Sequence, residues 1–126
     1  MKNLLVTGGA GLARHEGQAV FVPLAAPGDR VRARVTQRKR GFLQADLVEV
    51  VEAGPDRRDA PCPYYGACGG CDLQHLQPAA QRAAKAAIVV DCFQRLGRMD
   101  VTDILEGPSA TGGDLGYRNR IRLYAH

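Results

Sequence analysis

The stretch Pro27-Gly28-Asp29-Arg30-Val31-Arg32-Ala33-Arg34-Val35-Thr36 decides the fold of the first part of the chain. Its opening Pro-Gly-Asp is a turn signal, because Pro presets one backbone angle and Gly adopts angles that other residues resist. After the turn, Arg strictly alternates with an apolar residue up to Val35. Since successive side chains of a strand point to opposite faces, this pattern predicts a β-strand with one apolar and one basic face.

Residues 1–53 contain further apolar runs of strand length: Leu4–Thr7, Ala19–Val22 and Leu43–Val51. Gly and Pro clusters separate these runs, as is typical of short strands joined by turns. The glycines at 8–11 resemble a dinucleotide-binding turn, but the extended pattern after them predicts a turn between strands instead. We therefore expect a small β-barrel over residues 1–53. The polar, Pro-bounded stretch 54–61 is predicted to be a linker.

The remaining residues, 62–126, predict a second, smaller lobe of the α+β type. Residues 78–96 have helical periodicity, with Pro78 suited to the first helical position and Gly97 to the stop. Short strands are expected at 101–105 and at 117–125. The second of these would lie at the chain end without a partner, so we expect a fragment of a longer protein. The predicted fold class is thus mainly β, with one helix and a C-terminal strand in the second lobe.

The composition is that of a folded protein, since 45% of the 126 residues are hydrophobic and 24% are charged. This length suits one ordinary domain or two small ones and excludes a complete cofactor-dependent enzyme with its own large sheet. The longest strictly apolar run, 86–90, is too short to span a bilayer, and the first residues lack a signal-peptide cleavage pattern. We expect a cytoplasmic, monomeric protein with no membrane partner.

The formal net charge of +4 is unevenly distributed along the chain. Residues 1–53 carry +3, residues 54–116 carry −2 and residues 117–126 carry +3. Fourteen of the 17 basic residues are Arg, which binds phosphate in a bidentate manner and stacks on bases. Both ends of the chain therefore favour a polyanionic partner.

Three of the four cysteines, Cys62, Cys68 and Cys71, form a C-x5-C-x2-C pattern interspersed with glycines. Three thiolates on one Gly-rich loop favour an iron–sulfur cluster. Zinc remains an alternative, although its sites more often use pairs of C-x2-C knuckles, and inert or redox-active thiols remain another. Cys92 is predicted to be a buried packing residue of the helix, and His75 to be a polar surface residue rather than a fourth ligand.

The order of these features resembles one family. After the basic barrel come Cys-Pro-Tyr-Tyr-Gly-Ala-Cys-Gly-Gly-Cys-Asp-Leu-Gln-His-Leu at 62–76, a helix ending in Arg-Leu-Gly, and Gly-Tyr-Arg-Asn-Arg-Ile-Arg-Leu at 116–123. Together these segments resemble the iron–sulfur-containing RNA uracil-5-methyltransferases of the 23S rRNA type. Residues 1–53 then look like a TRAM domain, an OB-fold RNA-binding module, with 8–17 and 20–23 as its signature.

The resemblance implies a 4Fe-4S cluster with four cysteine ligands, of which Cys62, Cys68 and Cys71 match three. The fourth ligand is expected beyond His126, and so is the domain that binds S-adenosylmethionine and carries the catalytic cysteine. No catalytic residue is therefore assigned in this chain, and no enzymatic activity is expected from it alone. The cluster is expected to have a structural role.

The implied partner is RNA of the rRNA type, and no DNA is expected. The residues predicted to contact RNA are basic or aromatic positions of the barrel and the C-terminal segment: Arg30, Arg32, Arg34, Arg38, Lys39, Arg40, Phe42, Arg118 and Arg120. A solvated charged face is the alternative for the arginines, and a place in the core is the alternative for Phe42.

The resulting hypothesis is the RNA-recognition and iron–sulfur-binding portion of an S-adenosylmethionine-dependent rRNA (uracil-5)-methyltransferase. A stand-alone RNA-binding adaptor with a zinc or iron–sulfur structural site is the alternative function.

Overall fold

The computed structural model describes residues 5–7, 9–107 and 112–122. Within these ranges the strands are β1 (Leu5–Thr7), β2 (Ala10–His15), β3 (Gln18–Pro23), β4 (Arg30–Lys39) and β5 (Phe42–Glu52). The helix α1 spans Pro78–Cys92, and a π-helical turn at Phe93–Gly97 extends it. The predicted fold class is confirmed, since the described chain is mostly β with a helix after the barrel.

The five described strands form one sheet in the order β1-β2-β3-β5-β4. Neighbouring strands are antiparallel except β3 and β5, which are parallel. The turn between β2 and β3 uses Glu16 and Gly17, both with positive φ (49° and 80°), as a tight hairpin turn requires. The sequence prediction missed β2, because its Gly and Ala residues are weak strand signals.

The barrel core is built from small apolar side chains that alternate along the strands. It consists of Ala13, Val20, Val22, Ala25, Val31, Leu43 and Ala45. A second, smaller core joins Ala26 to Leu73 and Leu76, and Ala80 and Ala84 of α1 pack against it. The helix is therefore attached mainly through its N-terminal half.

The C-terminal half of the helical segment is largely uncovered. Leu96 of the π-helical turn is 82% exposed, and Cys92 is exposed as well. The prediction that Cys92 is a buried packing residue is therefore wrong. Helical periodicity places it on an apolar stripe, but Cys92 and Leu96 at this end of the stripe are exposed.

Two strands predicted for the second lobe are not formed in the described residues. Residues 101–105 make a turn, in which the Asp100 carboxylate accepts hydrogen bonds from the backbone N–H (3.0 Å) and hydroxyl (2.6 Å) of Thr102. Residues 117–122 are irregular and exposed, and 123–126 lie outside the described residues. Strand alternation alone does not make a strand, because the backbone also needs a neighbouring strand to pair with.

No helix within residues 5–7, 9–107 and 112–122 is long and apolar enough to cross a membrane.

Candidate nucleic-acid interface and cysteine loop

A bulge in β4 decides which basic side chains share a face of the sheet. Before Thr36, the register pairs Arg34 with Asp46; after it, Lys39 pairs with Phe42. The register shifts between Val35 and Gln37, so Thr36 is an extra residue in β4. An extra residue moves every following side chain to the opposite face. Lys39 therefore joins Arg34 on the face that points away from the core.

The same bulge separates Lys39 from its neighbour Arg38. Arg38 stands opposite Leu43, which is a core residue at the inner side of the sheet. Arg38 therefore does not share the face of Arg34 and Lys39, although all three are predicted to contact RNA. The turn between β4 and β5 is Arg40-Gly41, since Arg38 and Lys39 belong to β4.

Two aromatic rings lie on the outward side of the sheet. Phe21 of β3 and Phe42 of β5 meet edge to face, with ring centroids 5.4 Å apart and an interplanar angle of 89°. The Lys39 ammonium lies 5.7 Å from the centroid of Phe42. Both rings are half-buried, so Phe42 is not part of the barrel core. We call the surface formed by Phe21, Arg34, Gln37, Lys39, Phe42 and Gln44 the outer face.

The basic residues of β4 differ in whether they already form an ion pair. Arg30 forms an ion pair with Glu52, and Arg32 forms one with Glu49 at 2.5 Å. Within the described residues, no ion pair involves Arg34, Arg38, Lys39 or Arg40. All four are exposed. The uncompensated positive charge therefore lies towards the β4–β5 turn.

A cavity of about 560 Å³ opens on the outer face. Phe21, Gln37, Gln44 and Asp46 line it from the sheet, and Arg95 lines it from the π-helical turn. Sequence reasoning missed these residues as site residues. The signal for Phe21 was present, because it alternates with Val20 and Val22 and must face away from the core that they form.

Arg118 and Arg120, also predicted to contact RNA, lie in the irregular segment and are exposed. The Arg118 guanidinium lies over the Tyr117 ring, 5.8 Å from its centroid. In the described part of the chain, no hydrogen bond or ion pair joins Arg118 or Arg120 to the outer face. The structure thus brings the β4–β5 residues together but not these two.

The predicted linker is held firmly against the barrel by a buried carboxylate. Asp29 Oδ2 accepts hydrogen bonds from Ala26 N–H (2.7 Å) and Arg57 Nη2 (2.7 Å), and Oδ1 accepts one from Gly54 N–H (2.8 Å). Arg57 also donates to Leu24 O at 2.7 Å. The Asp29 side chain is fully buried. We call this arrangement of Asp29, Arg57 and Gly54 the joint.

The Asp29 carboxyl is stable as an anion despite its burial. Burial alone would raise its pKa, but the hydrogen bonds from Arg57, Gly54 and Ala26 outweigh this effect, and the net pKa is lowered. Residues 54–57 therefore carry part of the fold and do not act as a free tether.

A second polar network holds the cysteine loop, residues 62–71. The Tyr65 hydroxyl lies 2.8 Å from Asp72 O and 2.5 Å from His75 Nδ1, and His75 Nε2 lies 3.3 Å from Ala25 O. His75 is 3% exposed, so the prediction of a polar surface histidine is wrong. Burial lowers its pKa. The prediction failed because no sequence pattern indicates the contacts with Tyr65 and Ala25 that accommodate the buried ring.

The cysteine loop offers the right donor chemistry for a metal group, but its side chains are not gathered as ligands. Cys62, Cys68 and Cys71 are free thiols, Cys62 half-buried and the other two exposed. Cys62 N–H donates to Gln74 Oε1 at 3.2 Å, and Cys68 N–H donates to Tyr64 O at 2.9 Å. No group of three or more His, Cys, Asp or Glu side chains in the described residues is arranged to hold a metal ion.

Residues 5–48 match the family model of the TRAM domain. In sequence and in fold, the barrel over residues 5–48 is therefore similar to a TRAM domain, an OB-like β module.

Over nearly its whole length, the chain is also similar to the N-terminal part of 23S rRNA (uracil-C5)-methyltransferases. It is 46% identical over 119 residues to the 23S rRNA (uracil(1939)-C(5))-methyltransferase RlmD of Acidithiobacillus ferrooxidans, covering 94% of this chain and 27% of that relative. It is 43% identical over 115 residues to RlmD of Shewanella amazonensis, covering 91% and 26%. It is 41% identical over 121 residues to an uncharacterised RNA methyltransferase of Bdellovibrio bacteriovorus, covering 94% and 30%. The chain thus spans 30% or less of the length of these relatives.

Proposed function

We propose that this chain provides RNA recognition for a 23S rRNA (uracil-C5)-methyltransferase, with the outer face as the contact surface. One observation carries the proposal: the bulge at Thr36 places Lys39 and Arg34 on the same side of the sheet as the Phe21–Phe42 pair. Aromatic rings beside positive charge form the platform on which OB-type modules stack and hold single-stranded RNA. The names of the relatives support rRNA as the partner. The methyl transfer and its S-adenosylmethionine are assigned to no residue of this chain.

The bases of β4 contribute unequally in this proposal. Arg30 and Arg32 already face Glu52 and Glu49, so a phosphate would have to compete with a carboxylate for each of them. Within the described residues neither Arg34 nor Lys39 forms an ion pair, although Asp46 stands opposite Arg34 in the register. We therefore expect Arg34 and Lys39 to dominate the electrostatic part of RNA binding.

The test is the salt dependence of RNA affinity. The dissociation constant of a short, labelled single-stranded RNA is measured from roughly 50 to 200 mM salt. The double variant Arg34→Gln/Lys39→Gln should lower the slope of log affinity against log salt by about 1.4, since each lost phosphate contact lowers it by about 0.7.

Two variants serve as matched controls. Arg32→Gln removes a base that is already paired, and Lys85→Gln removes an exposed base of α1. Both should change the slope by much less. Equal slopes for the wild type and the double variant would contradict the proposed contact surface.

A second part of the proposal concerns the cysteine loop. We propose that Cys62, Cys68 and Cys71 supply three of the four cysteine ligands of an iron–sulfur cluster of the 4Fe-4S type, in a reducing compartment such as the cytoplasm. The proposal is supported by the donor set of three free thiols on one loop and by the anchoring of that loop through Tyr65, His75 and Gln74. The cluster would cross-link a lobe whose own core is small.

Iron and acid-labile sulfide are measured in the anaerobically purified chain. We expect both elements in the wild type and their loss in Cys68→Ser. Cys92→Ser is the matched control, because Cys92 lies outside the loop at the end of α1, and it should retain both. Stoichiometric zinc without sulfide would contradict the cluster.

A further inference from the structure

The cavity on the outer face has the size and the mixed lining of a small-ligand site. Its volume of about 560 Å³ falls within the roughly 300–1,000 Å³ typical of such sites. Phe21 supplies an aromatic wall, and Gln37 and Gln44 supply two side-chain amides. The amides come from residues that stand directly opposite each other on β4 and β5, so they project into the same space.

The two amides are available to a ligand. In the described residues, neither the Gln37 nor the Gln44 side chain makes a hydrogen bond to another part of the protein. Each amide carries two donors and an acceptor. Side-chain amides can therefore pair with the adjacent donors and acceptors on the edge of a nucleobase. Gln44 is half-buried, which reduces competition from water for its amide.

The charges around the cavity indicate which part of a nucleotide would enter it. Asp46 lines the cavity and would repel a phosphate that came close to it. Arg95 lies on the side of the π-helical turn, and its Nε donates to Asp91 at 2.8 Å. Arg95 is thus already paired with a carboxylate, as Arg30 and Arg32 are. The lining thus favours a neutral base over a phosphate inside the cavity.

We infer that this cavity receives one unstacked nucleobase of the bound RNA, with Phe21 as its stacking partner and Gln37 and Gln44 on its polar edge. The inference rests on the proposed RNA binding and adds the site at which a base is held. It separates base recognition in the cavity from phosphate contacts at Arg34 and Lys39.

The experiment compares two labelled single-stranded RNAs of equal length and charge, one intact and one with abasic riboses at its interior positions. Phosphate contacts are the same for both, so the difference in affinity measures the bases. The full chain should bind the intact RNA at least about 5-fold more tightly. Gln44→Ala should weaken binding of the intact RNA about 3- to 10-fold and leave binding of the abasic RNA unchanged. Gln18→Ala, an exposed glutamine of β3 outside the cavity, should change neither.

The outcomes separate the two proposals. If both RNAs bind equally well, or if Gln44→Ala weakens both to the same extent, the base site is overturned and RNA binding stands. If neither RNA binds at low salt, the proposed function fails and the base site fails with it. Should Gln44→Ala not fold, the wild type is titrated with adenosine and uridine monophosphates and followed by NMR. The side-chain amide signals of Gln44 should shift while those of Gln18 stay in place, and unshifted Gln44 signals would overturn the inference.

Discussion

Replacing Asp29 by Asn tests the joint with a change of almost no volume. Both carboxylate oxygens of Asp29 accept a backbone N–H, from Ala26 at 2.7 Å and from Gly54 at 2.8 Å. An asparagine has one oxygen and one NH2 group, so either orientation sets an N–H donor against another donor. The change also removes the charge that pairs with Arg57, whose side chain is 19% exposed. Breaking a buried, hydrogen-bonded ion pair by altering one partner costs about 3–5 kcal/mol.

A loss of this size is a large part of the roughly 5–15 kcal/mol that stabilises a small protein. At roughly 4 °C per kcal/mol, it corresponds to a Tm lower by about 12–20 °C. The measurement is urea and thermal unfolding followed by far-UV circular dichroism. Asp59→Asn is the matched control, because Asp59 lies on the same segment and is exposed, and it should stay within about 0.5 kcal/mol of the wild type. The reasoning would be refuted if Asp29→Asn were as stable as Asp59→Asn.

Three further predictions concern the same region. In Gly54→Ala, the new Cβ would lie 2.2 Å from Pro27 O, so the free energy of unfolding should be lower than that of the wild type by at least about 2 kcal/mol. Gly107→Ala is the control, because its new Cβ has no atom within 4 Å, and it should be as stable as the wild type in the same urea titration. The free energy of unfolding should decrease in two steps as the pH falls. The first step lies below about pH 6.5, because burial lowers the pKa of His75, so the unfolded chain binds a proton that the folded chain does not. The second step lies below about pH 4, where the lowered pKa of Asp29 has the same consequence. Stability that is flat from neutral to acid pH would contradict this. Tyr65→Phe removes the hydroxyl that contacts Asp72 O and His75 Nδ1. This change should lower the free energy of unfolding by about 1–2 kcal/mol and speed amide hydrogen exchange across the cysteine loop. Tyr64 is 70% exposed, so Tyr64→Phe should leave the exchange unchanged.

The barrel could be predicted from the sequence wherever strand alternation was strong. Strict alternation predicts β4, and apolar runs of strand length between Gly and Pro clusters predict β3 and β5; residues of all three strands form the core. The strand β2 could not be identified, since its buried positions are Gly11 and Ala13 and a small side chain on a strand gives almost no hydrophobic contrast. The false strand at 101–105 shows the opposite error. A short apolar run looks the same in a turn, and here Asp100 stabilises the turn.

The candidate site was predictable in its residue types but not in its geometry. The basic residues and Phe42 are evident in the sequence, yet their division between two faces depends on the bulge at Thr36. A bulge has no reliable sequence signal when the extra residue is a Thr in a strand of ten. The cavity could not be predicted from the sequence for another reason. Gln37 and Gln44 line the same cavity as Arg95 because the chain after β5 brings the π-helical turn next to the sheet.

The joint and the Tyr65–His75 network together explain how a chain with so little core holds its cysteine loop against the barrel. The shared core between the barrel end and α1 contains Ala26, Leu73 and Leu76 as its fully packed members, which is little apolar surface to fix an orientation. Polar contacts are directional, whereas apolar contacts are not. Arg57 reaches back to the turn before β4, and His75 reaches the Ala25 carbonyl in the same turn. Two directional contacts converging on residues 24–29 fix the angle at which the cysteine loop leaves the barrel. A change at Asp29 should therefore disturb the cysteine loop as well as the barrel, although Asp29 lies far from that loop in sequence.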